Sequence, residues 1–214
     1  MELSQEEIVG IGVALNESDL LGAEVDPSRA VAALTFSVLT LPVTGASPKD
    51  RRVSILLSSV HHVAAVLLER GTPTLRARDD LAATVIPFEL RELLDVVQSF
   101  GGSAVYGWEF IDTEPDWETC WAGRLSLDWR GSGPVGPHTL TVFQDDARRF
   151  LEVRLWFKDL IVRDPRGQPV PLAEFIAGGR RWWDALHAGD PRTKDAGILP
   201  LAPPSTGKGP STAS

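Results

Sequence analysis

The spacing of hydrophobic positions changes several times along the chain, and each change predicts an element. Ser4 and Glu7 stand at capping-box spacing, and Ile8, Ile11 and Leu15 share one helical stripe, which predicts a short N-terminal helix. From Val31 the period is two, with Ala32, Leu34, Phe36 and Val38 alternating with Ala33, Thr35 and Ser37. That run predicts a strand, and LPVTGASPKD supplies the turn after it. The segments RRVSILLSSV and HHVAAVLLER read as two more strands with apolar residues on both faces, so this part of the sheet is expected to be covered on both sides. Beyond the loop TPTLRARDD, Pro87 fits a first helical position, and Leu90, Leu93, Leu94 and Val97 follow at helical spacing until Gly101 and Gly102. A central helix is expected there.

The second half repeats the rhythm of strand, loop and strand. SAVYGWEFI comes first, followed by RLSLDW, in which Leu125, Leu127 and Trp129 alternate with Arg124, Ser126, Asp128 and Arg130. GSGPVGP leads into HTLTVF, and QDDARR turns into FLEVRLWFKDLIVRD. Leu151, Val153, Leu155 and Phe157 share a face, but the phase slips at Lys158–Asp159, which predicts a bulge or bend. DPRG then has proline and glycine where a type I turn wants them. The pattern predicts an α+β fold. Two antiparallel three-stranded meanders, pseudo-repeats over 20–100 and 104–189, form one large or two packed sheets with an N-terminal, a central and a C-terminal helix. A single domain over 1–190 and a disordered Pro/Gly/Ser/Thr tail over 191–214 complete the expectation.

The C-terminal helix is the most sharply patterned element. On a helical wheel Trp182, Phe175, Leu186, Gly179, Leu172, Trp183 and Ile176 fall within an arc of about 120°, with Glu174, Arg181, Asp184 and Ala188 opposite. Both indoles of this helix are expected to face the core. Gly179, at mid-arc, is expected to let the helix approach the sheet closely, at about 1 kcal/mol of helix propensity. Pro171 can start the helix and Gly189 can end it.

Composition narrows the function classes. With 21 basic and 29 acidic residues, the formal net charge is −8. Such a surface repels a phosphate backbone, so no nucleic-acid partner is expected. The start MELSQEE carries no secretory signal pattern, and apolar runs such as VSILL and VAAVLL fall well short of the roughly 20 residues of a membrane helix. A cytoplasmic location with no membrane partner is expected. The basic residues are 17 arginines and four lysines, a bias expected of a GC-rich bacterial genome. The single cysteine, Cys120, rules out an internal disulfide and a cysteine-rich zinc site.

Candidate chemistry gathers after Gly107, where all seven tryptophans lie. In EFIDTEPDWE an extended chain would put Asp112, Glu114, Asp116 and Glu118 on one side, with Glu109 close by. Such a row suits a solvated loop or a basic protein partner. It lacks the glycine-bearing spacing of a calcium loop, and Pro115 interrupts a strand. Arg180 and Arg181 beside the Trp pair offer a second partner-facing candidate, because Arg and Trp are enriched at interface hot spots. His61 and His62 leave opposite faces of a strand and cannot share an ion. His138 begins a strand, and His187 suits the C-terminal end of the last helix. Cys120 served by His138 is the one nucleophile pairing the sequence offers, and nothing local marks an activated thiolate. GIG at 10–12 and STGKG at 205–209 lack the spacing of nucleotide-binding loops. No catalytic residue, metal or cofactor is expected.

The stretch LLGAEVD…RAVAALTFSVL…RRVSILLSSVHHVAAVLLE, about the first third of the chain, resembles the opening of small β-rich bacterial immunity proteins and related uncharacterised families. The resemblance carries no residue-specific motif. It implies a cytoplasmic protein that binds another protein. The leading expectation is therefore a non-enzymatic acidic binding protein, an immunity-type inhibitor, with Glu109–Glu118 facing a basic partner. Two alternatives stand beside it. One is a small-molecule binder or hydrolase-like enzyme with a pocket lined by Trp108, Trp121 or Trp156, and the other is a scaffold that pairs with itself.

Overall fold

The computed structural model describes residues 2–70, 83–113 and 116–198. Ser4 caps α1 (Gln5–Leu15): its side chain accepts from the Glu7 amide, and the Glu7 carboxylate accepts from the Ser4 amide, the reciprocal box that the spacing predicts. The strands are β1 (Ser18–Asp26), β2 (Val31–Ser37), β3 (Arg52–Ser58), β4 (His62–Glu69), β5 (Thr84–Val85), β6 (Ala104–Val105), β7 (Leu127–Arg130), β8 (His138–Asp145), β9 (Arg149–Phe157), β10 (Asp159–Arg163) and β11 (Pro169–Val170). The remaining helices are α2 (Leu93–Gln98), α3 (Trp117–Cys120) and α4 (Leu172–His187). The fold is α+β with two antiparallel sheets. One runs β11–β10–β3–β2–β1–β6. The other runs β5–β4–β9–β8, with β7 also pairing to β4.

Leu34, Phe36, Ile55 and Leu57 of the first sheet pack in one cluster with Val63, Ala65, Leu140, Val153 and Leu155 of the second, so the sheets share a core. The strands are not grouped by halves of the chain. Consecutive β1, β2 and β3 do form a three-stranded meander, but His62–Glu69, expected beside them, belongs to the other sheet. The chain crosses at Ser59, where φ is +52°. It crosses back at Lys158, and the Lys158 amide donates to the Ser58 carbonyl at 3.0 Å, which ties the two crossings together. The phase slip predicted at Lys158–Asp159 is this change of sheet. Each half of the chain thus contributes to both layers, and the 20–100 and 104–189 segments do not fold as separate meanders.

Three elements differ from the sequence reading for local reasons. β1 is the nine-residue partner of β2, yet its register shifts between Leu20 and Gly22, and that irregularity hides its alternation. SAVYGWEFI is not one strand: only Ala104–Val105 pair with β1, and Ile111 makes a single bridge to Leu140. The central helix starts later than Pro87, as a 3-10 turn over Leu90–Glu92 that passes into α2. Leu93 and Val97 are fully buried, as their spacing predicts.

α4 buries Trp182 at 1% exposure, and Trp183 is half-buried with its indole N–H donating to the Val13 carbonyl at 3.1 Å. Both indoles turn inward. Gly179 does mark a close approach, but to α1 rather than to a sheet: a Cβ there would lie 2.6 Å from Ala14 Cα. Past Gly189 the chain makes another 3-10 helix, Pro191–Ala196, with Thr193 buried, so the first residues of the stretch expected to be a disordered tail are ordered against the fold. Residues 199–214, including STGKG, lie outside the described residues.

Candidate functional site

Two tryptophan-bearing sites differ in how fully their groups are used. The first is built where the chain leaves β6. The Glu17 amide donates to the Val105 carbonyl at 3.0 Å, and the Gly107 amide donates to the side-chain oxygen of buried Asn16 at 3.1 Å. Gly107 has φ +120°, a backbone conformation that a side chain would strain. The next carbonyl, that of Trp108, presses on α1 so closely that a Cβ on Gly12 would lie 2.0 Å from it. The Trp108 backbone is clamped while its side chain remains 53% exposed. Its ring meets that of Trp183 at a tilt of 56°, with ring centroids 5.3 Å apart. Tyr106 and Val9 are also half exposed.

Beyond Trp108 the segment returns to the core. Phe110 and Ile111 are buried, and the Phe110 carbonyl accepts from the Thr141 amide at 2.8 Å. Asp112 takes φ +53° and is held there by its own side chain, which accepts from the Thr139 amide at 2.7 Å and meets His138 Nδ1 at 2.8 Å. His138 Nε2 accepts from the Leu3 amide at 3.1 Å, so the ring proton sits on Nδ1 and is donated to Asp112. Between α1 and this segment lies a cleft of about 230 Å³, lined by Gln5, Ile8, Val9, Trp108, Glu109 and Asp112 among others.

The second site covers the outer face of the β4 sheet. α3 lays Trp117 over Ala64 and Val66, burying it to 1% exposure, and the Trp117 indole N–H donates to Glu152. Trp117 meets Trp156 edge-on, and the buried Arg154 guanidinium lies 5.7 Å and 5.6 Å from these two ring centroids. Trp156 stacks in turn on His62, at 4.0 Å and 18°. His62 Nε2 hydrogen-bonds Asp128 at 2.7 Å, and its Nδ1 faces Glu118 at 3.9 Å. Arg130 pairs with both carboxylates. Burial holds the His62 pKa below the ordinary imidazole value, against the opposing pull of the Asp128 hydrogen bond. Here every ring and charge has a neighbour.

The residues singled out by sequence are scattered by this geometry. The row Glu109–Asp112–Glu114–Asp116–Glu118 needs an extended chain, and the chain instead turns into α3 after Asp116. Glu109 is exposed at the cleft, Asp112 is committed to His138 and Thr139, and Glu118 faces Arg130 and His62 across the other site. Glu114 lies outside the described residues, and Asp116 is exposed ahead of α3. Arg180 is exposed and pairs with Glu6 at 3.7 Å, whereas Arg181 is tied to the Leu41 carbonyl and to Glu174. The three pocket candidates do not converge: Trp108 borders the α1 cleft, while Trp121 and Trp156 pack in the α3 cluster. Cys120 is exposed on α3, and His138 has both ring nitrogens engaged by Asp112 and Leu3. Among the described residues no group of three or more His, Cys, Asp or Glu side chains could hold a metal ion, and no helix is long and apolar enough to cross a membrane.

Sequence reasoning missed the His62–Asp128 contact and the buried Arg154. Both follow from which strands become neighbours of β4, and no local pattern encodes that. Comparison with protein-family models, with curated proteins and with solved structures returns no match. The resemblance of the N-terminal third to immunity proteins therefore rests on that sequence pattern alone.

Proposed function

We propose that the protein is a non-enzymatic binding protein that recognises a basic protein partner, in the manner of an immunity-type inhibitor. The observation that carries this reading is Trp108, whose side chain is 53% exposed on a clamped backbone with Glu109 beside it. A large aromatic group held rigidly at the surface loses little entropy on binding, and such anchors dominate interface energetics. The surrounding charge favours the same partner class, since a net −8 steers basic surfaces toward this chain. The binding surface is thus centred on Trp108 and Glu109 rather than on the whole Glu109–Glu118 row.

The test is affinity capture from the native host with the wild-type chain and with a Trp108→Ala/Glu109→Lys double variant. A basic partner enriched by the wild type, released by salt and lost with the variant is the expected result. Equal recovery by both chains would remove the reading. A concentration-dependent dimer in sedimentation, abolished by the same variant, would make the partner a second copy instead.

A further inference from the structure

The Trp108 cleft has a chemical preference, and the inference drawn from it rests on the binding reading above. Its volume of about 230 Å³ falls below the roughly 300 Å³ at which small-molecule sites begin, which suits a single side chain. The cleft is lined by Trp108, Gln5, Glu109 and Asp112 together with Ile8 and Val9, and no Lys or Arg is among the lining residues. The two carboxylates are not equivalent. Asp112 is already engaged by the Thr139 amide and His138, whereas Glu109 is exposed and forms no ion pair with another described residue. An indole beside an unneutralised carboxylate attracts a cation. A planar guanidinium uses both features, stacking on the ring while its N–H fork meets the carboxylate oxygens.

We propose that this cleft receives an arginine side chain from an extended segment of the partner protein, stacked on Trp108 and paired with Glu109. Lysine fits less well, because its ammonium is compact, strongly hydrated and unable to stack. An apolar side chain would leave the Glu109 carboxylate desolvated without a partner.

The probe is a blocked Gly-Arg-Gly tripeptide, with citrulline, lysine and norleucine counterparts, titrated against the full chain at physiological salt while the indole N–H resonances are followed. The Trp108 signal, assigned by its loss in Trp108→Phe, is expected to shift saturably with the arginine peptide at about millimolar concentration, and Glu109→Gln to weaken binding about threefold. Trp108→Ala should leave the remaining indole resonances unmoved by the arginine peptide, with an unchanged circular dichroism spectrum. Glu24→Gln, on β1 and outside the cleft lining, should leave binding intact. A citrulline or norleucine response equal to that of arginine overturns the cation assignment, and lysine binding as tight as arginine overturns the guanidinium assignment. No saturable shift of Trp108 up to about 20 mM peptide, well above the millimolar range expected of so small an interaction, overturns the site altogether. These outcomes are separable from the reading beneath them. A partner captured through Trp108 without arginine selectivity removes the cleft assignment and leaves the binding protein, while arginine selectivity without any captured partner does the reverse.

Discussion

Trp108 and Trp117 lie nine positions apart in sequence and meet opposite fates. Trp117 is buried to 1% exposure, its N–H is given to Glu152, and Arg154 and Trp156 occupy its surroundings. Trp108 has its backbone carbonyl against α1 and its ring beside Trp183, and it stays 53% exposed. Indole content alone therefore says little about role. What separates architecture from a recognition surface is whether the ring's faces and the charges beside it already have intramolecular partners. Around Trp117 and Trp156 they have, while Trp108 stays half exposed and the Glu109 carboxylate forms no ion pair with another described residue.

The largest expected effect that sharpens this contrast comes from Trp117→Ala, which should cost about 3–5 kcal/mol in denaturant unfolding, as for other buried aromatic truncations. A midpoint within error of wild type would show that the α3 cluster is not cohesive. Next is Gly12→Ala. Its Cβ would meet the Trp108 carbonyl at 2.0 Å, and backbone on both sides cannot yield as a side-chain tip can, so a loss of about 1–3 kcal/mol or more is expected. Gly133→Ala, with nothing within 4 Å of the added carbon, is the control and should stay within about 0.5 kcal/mol.

The third prediction concerns pH. The folded protein holds His62 below its ordinary pKa because burial disfavours the imidazolium, and His61 moves in the same direction for the same reason. Below about pH 6.5 the unfolded chain therefore binds more protons than the folded one, and stability falls with pH until the folded histidines also protonate. Denaturant midpoints measured from about pH 7 to about pH 5.5 should decline, and His62→Gln should flatten part of that slope. An unchanged slope would mean that His62 does not titrate differently on folding. The smallest effect belongs to Trp108→Ala, expected to alter stability by under about 1 kcal/mol because half of the side chain never leaves water. A loss as large as that of Trp117→Ala would erase the distinction between the two sites.

Legibility in the sequence followed periodicity. The α1 capping box, the alternation in β2, the two-faced burial of β4 and the inward stripe of α4 are all local, and all are present. β4 buries Val63, Ala65 and Leu67 in the main core and Ala64 and Val66 beneath Trp117, as a strand covered on both faces must. β1 escaped because the irregularity at Leu20–Gly22 breaks its period. The acidic run after Gly107 could not be sorted residue by residue, because spacing alone cannot distinguish a carboxylate facing water from one answering a distant His138 or Arg130.

By itself the sequence determined the local elements, the inward turn of Trp182 and Trp183 and the acidic balance, since each depends on neighbours within a few residues or on simple counting. Tertiary structure alone decided that β4 and β10 change sheets, that Gly179 serves a helix pair, and that Trp108 rather than Trp121 or Trp156 stays half exposed. Those outcomes depend on contacts between positions up to about 170 residues apart, as between Trp183 and Val13. Such pairings are set by how the layers close over one shared core, and no window along the chain contains them.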